Sequence, residues 1–173
     1  MKLPDRKSNM YTFLQENVDE ILFGSLLCID PSIGSNSSQP AFAFYQTGKV
    51  IAKGRGIVDA ALPLAQKCAG VSSLTSSLIE KYKPSFVILE GIPAQSHGRN
   101  ATGHATLLKA VGAILAGINK QPMIEITPMM WKARARPEYT KSDVNDAIEM
   151  GWVVIEMAKL MLEKQVKLIK KGK

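Results

Sequence analysis

Four carboxylates stand where they could work as one set. Asp30 and Glu90 each close a short apolar run, residues 25–29 (SLLCI) and 85–89 (SFVIL), and each is followed by a strand-stopping residue, Pro31 and Gly91. Asp143 and Asp146 follow Ser142, a good helix N-cap, and their three-residue spacing places both on one face of a first helical turn. Either lone acid also fits a strand that simply surfaces into water. Four acids brought close, however, repel unless cations neutralise them. Magnesium is the natural cation, with manganese equally open. It prefers oxygen ligands, and paired ions ~3.5–4 Å apart can assist phosphodiester hydrolysis by activating water and stabilising the leaving oxygen.

The elements that would position these acids can be read from hydrophobic period and turn residues. Tyr11, Leu14, Val18, Ile21 and Leu22 keep the spacing of one helical face, predicting an N-terminal helix that leans on the main domain. The buried strand 25–29 comes next, and residues 41–45 and 50–54 flank Thr47-Gly48 as a hairpin. Leu64, Val71, Leu74, Leu78 and Tyr82 predict a crossover helix within 59–82, stopped by Pro84. The second buried strand is followed by a polar loop, 91–103, and then by an Ala- and Gly-rich helix over 104–118. A fifth strand (122–126), a basic loop without clear period (127–141) and a long helix from Ser142 complete the chain. The order βββ-α-β-α-β-α is an α/β pattern with a mixed sheet covered by helices. In such sheets ligand sites gather outside the carboxyl ends of the strands, where Asp30 and Glu90 would lie.

A length of 173 residues suits one domain, taken as 25–173 with 1–24 as a helical extension. The longest apolar stretch, 110–118, is far shorter than the ~20 residues needed to span a bilayer. The first twenty residues lack a secretory apolar core. No membrane partner is expected, and the expected location is the cytosol. Cys28 and Cys68, without C-x-x-C spacing, read as small hydrophobes in a reducing compartment. Without cysteine partners, His97 and His104 do not read as zinc ligands. A net charge of +7 permits, without proving, a polyanionic partner.

These motifs, spread over nearly the whole chain, resemble the RuvC family of Holliday junction resolvases. The residues are Leu26-Leu27-Cys28-Ile29-Asp30-Pro31-Ser32, Val87-Ile88-Leu89-Glu90-Gly91, Thr127-Pro128 with Lys132, and Asp143-Val144-Asn145-Asp146-Ala147-Ile148. Each is short; their order, and the D-x-x-D-A-I phrase on a helix after a basic loop, carry the resemblance. It implies an RNase H-like five-stranded mixed sheet with helices on both faces, a homodimer, and incision of branched DNA such as four-way junctions in a bacterial or virus-infected cell. It implies too that Asp30, Glu90, Asp143 and Asp146 hold two metal ions, with Lys132 near the scissile phosphate stabilising transition-state charge. The chain departs from the bacterial pattern in having Ser32 where that has glycine, and Gly91-Ile92-Pro93-Ala94 where that has an aromatic residue. A phage- or virus-type branch accommodates both.

The loop 131–141 carries Lys132, Arg134, Arg136 and Lys141 against one acid, with Trp131 and Tyr139 between them. Cations there could hold backbone phosphates, and Trp131 or Tyr139 could stack on an unpaired base or pack on the core. Arg99 and Asn100, soon after Glu90, are further candidates for DNA contact. The small residues Ala110, Gly112, Ala113, Ala116 and Gly117 suit either a core helix or a dimer seam. Lys164, Lys167, Lys170, Lys171 and Lys173 fit the negative end of the last helix. Two other readings stay open: an RNase H-like nuclease on hybrids, flaps or forks, and a non-catalytic branched-DNA-binding protein on the same fold.

Overall fold

The computed structural model describes residues 1–31, 33–34, 37–59, 61–92 and 101–171. Ser32, His97, Arg99, Asn100 and Lys173 lie outside the described residues. In chain order the elements are α1 (Asn9–Phe23), β1 (Ser25–Asp30), β2 (Ile33–Gly34), β3 (Ser37–Ser38), β4 (Ala41–Gln46), β5 (Lys49–Arg55), α2 (Leu64–Tyr82), β6 (Phe86–Glu90), α3 (Ala101–Ile118), β7 (Met123–Ile126), α4 (Pro128–Lys132) and α5 (Asp143–Lys171). Five strands form one sheet in the order β5-β4-β1-β6-β7. β1 is antiparallel to β4 and parallel to β6; β6 and β7 are also parallel.

The central position of β1 follows from its sequence. An unbroken buried run such as Leu26, Leu27, Cys28 and Ile29 needs cover on both faces. Because side chains alternate across a strand, Leu26 and Cys28 face one side with Ala43, Tyr45, Phe86 and Ile88, whereas Leu27 and Ile29 face the other with Phe44, Val87 and Leu89. The first face packs on α5 and α1, through Met150, Val153, Val154, Met157, Leu14 and Val18. The second packs on α2 and α3, through Val71, Val111, Ile114 and Ile118. The result is the RNase H-like α/β architecture, a mixed five-stranded sheet with helices on both faces.

Local chemistry sets the element ends. Ser8 Oγ accepts the Tyr11 amide N–H and caps α1. Thr47 and Gly48 both have positive φ (47° and 74°), the backbone a two-residue hairpin turn requires. The Asn145 amide donates to Ser142 Oγ at 3.2 Å, which starts α5 where its sequence predicts. α5 sits close on the sheet at Gly151, where an added Cβ would lie 2.8 Å from Cys28 Sγ. Tyr45 O–H donates to the Ile148 carbonyl at 2.6 Å, tying the same helix to β4.

The structure corrects the sequence reading in detail. The basic loop 127–141 contains α4, because Thr127 precedes a proline at the first helical position, where its missing N–H costs nothing. α2 begins only at Leu64, after Pro63, and α3 already at Ala101. The chain beyond Pro31 returns to strand as the small antiparallel β2–β3 pair. No helix of the described residues is long and apolar enough to cross a membrane.

The small residues of α3 divide between two roles. A Cβ added at Gly117 would sit 2.7 Å from Thr75 Cβ and still closer to the Ser72 carbonyl, so this glycine lets α3 approach α2 within the chain. A Cβ at Gly112 would meet nothing within 4 Å. Gly117→Ala is therefore expected to destabilise the fold by about 1–3 kcal/mol through overpacking, and Gly112→Ala to stabilise it by about 0.5–1 kcal/mol through helix propensity. Urea unfolding midpoints that move the same way in both variants would contradict this packing.

Candidate active site

The parallel register of β1 and β6 builds the centre of the site. Cys28 pairs with Ile88 and Ile29 with Leu89, so Asp30 and Glu90 come next, side by side at the carboxyl end of the sheet. Asp30 is only 4% exposed, and its carboxyl group, hydrogen-bonding to that of Glu90 when protonated, is one of the groups that lower the Glu90 pKa. A third acid, Asp146, comes from the first turn of α5 and is 5% exposed. Lys132, at the end of α4, reaches between them: its Nζ lies 3.5 Å from Asp146 Oδ2 and 3.9 Å from Glu90 Oε1.

Two aromatic groups hold these acids. Trp131 Nε1–H donates to Glu90 Oε1 at 3.1 Å, and Tyr139 O–H donates to Asp146 Oδ1. The two rings meet edge to face with centroids 5.8 Å apart, and Lys132 Nζ lies 4.9 Å from the centroid of the Trp131 ring. Burial raises the Glu90 carboxyl above its ordinary value; the Lys132 ammonium and the Trp131 N–H pull it back, and Asp146 pushes it up again. Burial, then the hydrogen bond to Asp146 and the nearby carboxylates, raise the Tyr139 hydroxyl, which stays a proton donor.

Asp143 is not part of this cluster. Its Oδ2 pairs with Arg55 Nη2 at 3.0 Å, on the rim of the site. Among the described residues no three acidic, histidine or cysteine side chains converge tightly enough to hold a metal ion. In this conformation Asp143 stands apart from the other three acids, for a physical reason: Lys132 and Arg55 already supply positive charge to Glu90, Asp146 and Asp143. In chemistry the donor set does fit a hard divalent cation. Its ligands are all carboxylate oxygens, three of them crowded and poorly hydrated, and no soft ligand competes.

The expected DNA contacts divide as well. Trp131 is 0% exposed, so it has no face to stack on a base, and the core-packing alternative is the correct one. Arg136 is also corrected: its Nε donates to Glu149 Oε1 at 2.8 Å and its guanidinium lies over Trp152, so its charge is spent on a buried carboxylate. Arg134 donates to the backbone carbonyls of Lys2 and Met130, which ties the segment after α4 to the N-terminus. Lys132 and Lys141 remain exposed to solvent. Arg99 and Asn100 fall outside the described residues.

From the sequence Arg55 and Glu149 take no site role, and Tyr139 reads as a base-stacking candidate. Glu149 continues the three-residue spacing of Asp143 and Asp146 along α5, a signal that was legible. Arg55 could be found only from strand register, since it pairs with Ala41, which pairs with Asp30.

No protein-family model and no curated protein sequence matches the chain. Solved structures do. Thermus thermophilus RuvC in complex with a Holliday junction substrate superposes with a TM-score of 0.61 at 14% identity, covering 75% of this chain and 91% of that one. A second Thermus thermophilus RuvC structure gives 0.57 at 14% identity, covering 82% and 96%. The yeast mitochondrial Holliday junction resolvase Ydc2 gives 0.55 at 15% identity, covering 98% and 93%. With its sheet order, its two helical layers and these likenesses, the chain has the RuvC-type variant of the RNase H-like fold.

Proposed function

We propose that the protein is a metal-dependent endonuclease that resolves four-way junctions or related branched DNA by hydrolysing phosphodiesters. The observation that carries this reading is the meeting of Asp30, Glu90 and Asp146 at the carboxyl end of the sheet, the last two beside Lys132, in a fold shared with a RuvC bound to a Holliday junction. The net charge of +7 supports a polyanionic substrate.

In this reading Asp30, Glu90, Asp143 and Asp146 hold the metal, Mg²⁺ or Mn²⁺. When bound, it supplies the Lewis-acid charge that phosphodiester hydrolysis needs. The chain's own groups do the remaining work. The Trp131 N–H fixes the Glu90 carboxylate, and the Tyr139 O–H fixes Asp146, so neither has to be ordered when substrate arrives. Lys132 is 42% exposed and free to turn its ammonium from the acids towards a scissile phosphate, where it offsets developing negative charge. Lys141, exposed two residues ahead of α5, is a further phosphate contact. Paired incision calls for two sites, and a homodimer supplies them. The outward face of α3, with Leu108, Gly112 and Leu115 exposed at helical spacing, suits a second copy.

An end-labelled four-way junction, a matched duplex and an RNA–DNA hybrid, each with Mg²⁺ or EDTA, test the reading. Symmetric nicks in the junction alone are expected, lost in EDTA. Asp30→Asn and Asp146→Asn should each cost at least about 100-fold in rate while DNA binding persists. Cleavage of the hybrid or of forks instead would move the substrate to the second class, and binding without cleavage would end the enzymatic reading.

The position of the Glu90 carboxyl sets a pH dependence. It must lose its proton to serve as a ligand, so the affinity of the metal-free chain for Mg²⁺ should rise with pH through a limb above the ordinary carboxylate range. Trp131→Phe and Lys132→Met each remove a group that lowers the Glu90 pKa, and each should move that limb to higher pH. A limb that stays in place in both variants would show that Glu90 does not set it.

Sedimentation checks the assembly. A dimer is expected, and Leu108→Glu with Leu115→Glu should return it to monomer; a wild-type monomer at micromolar concentration would remove the two-site model.

A further inference from the structure

Arg55 ends β5 in the same row of the sheet as Asp30, through Ala41 between them. That row carries its guanidinium from the sheet edge to the first turn of α5, where it pairs with Asp143 at 3.0 Å. The two side chains are 40% and 33% exposed, and an ion pair so open to water is weak. Glu90 and Asp146 face Lys132 instead. Asp143 is thus drawn to the rim by a cation of the chain's own.

We infer that Arg55 is a positioning residue that keeps Asp143 off the acid cluster until a divalent ion is bound, and then passes from Asp143 to a phosphate of the DNA. The inference rests on the metal-dependent reading above. Two cations compete for one carboxylate. A divalent ion that also gains Asp30, Glu90 and Asp146 outcompetes a single half-exposed ion pair, because it draws on several carboxylates at once. The guanidinium released in this way is planar and rich in donors, the group best shaped to grip a phosphate in two places. Ion and DNA then favour the same released state, so each strengthens the binding of the other by the same factor.

Calorimetric titration of Mg²⁺ and of Ca²⁺ into the full chain tests the competition, with Arg55→Gln and Arg55→Lys beside the wild type. Arg55→Gln should bind the ion about two- to five-fold more tightly, since an exposed ion pair no longer competes. Its binding of a four-way junction in Ca²⁺ should lose about one unit of salt-dependence slope, the mark of one lost phosphate contact. Arg55→Lys keeps the charge and should restore the slope, with ion affinity between the other two. Ion affinity in Arg55→Gln that is unchanged or weaker, at an unfolding midpoint equal to wild type, would overturn the inference and leave the metal reading standing. A wild-type chain that takes up no divalent ion would overturn both.

Discussion

Negative charge crowded at the end of two parallel strands is the constraint round which the site is arranged. Once β1 pairs with β6 in its observed register, Asp30 and Glu90 are neighbours, and the cover of α5 adds Asp146. Burial removes the water that would otherwise screen them, and like charges that close oppose one another's ionisation. The chain answers with the Lys132 ammonium, the Trp131 N–H and the Tyr139 O–H.

The segment from α4 to the start of α5 does most of this balancing, and it is itself pinned. Arg136 donates to Glu149, 2% exposed on α5, while Arg134 binds two backbone carbonyls. A buried carboxylate left without its partner is costly, so the Arg136–Glu149 pair is better understood as a clamp on this segment than as a DNA contact. With the segment clamped, Trp131, Lys132 and Tyr139 project to one point. Basic residues that look alike in sequence therefore divide into a structural set and a solvent-facing set by the depth of the acid each one meets.

The two faces of the sheet share this economy. Alternation along β1 sends Leu26 and Cys28 towards α5 and α1, and Leu27 and Ile29 towards α2 and α3. α5 can carry Asp146 to the strand ends only because it lies close on the sheet, which the absence of a side chain at Gly151 permits. α1 joins the core on the same face, so residues ahead of the sheet contribute to the support of the acid-bearing helix.

Much of the architecture was legible in the sequence, because hydrophobic period and strand-ending residues are local signals. The two buried runs, the Thr47-Gly48 hairpin, the N-cap at Ser142 and the α/β order all rest on residues within a few positions of one another. So does the choice of Asp30, Glu90, Asp143 and Asp146 as the acids to watch. Their partners were not legible, since a partner is chosen by distance in space. Trp131 reads as a base-stacking aromatic until the sheet shows that its indole is buried against Glu90, and Arg136 reads as a phosphate ligand until α5 brings Glu149 beneath it. Arg55 meets Asp143 across 88 positions of chain only because two strand registers add up to bring them together. Sequence by itself determined which elements form and which acids end them; tertiary structure decided which cation each acid holds, because ion pairs and burial depend on through-space geometry that no local pattern encodes.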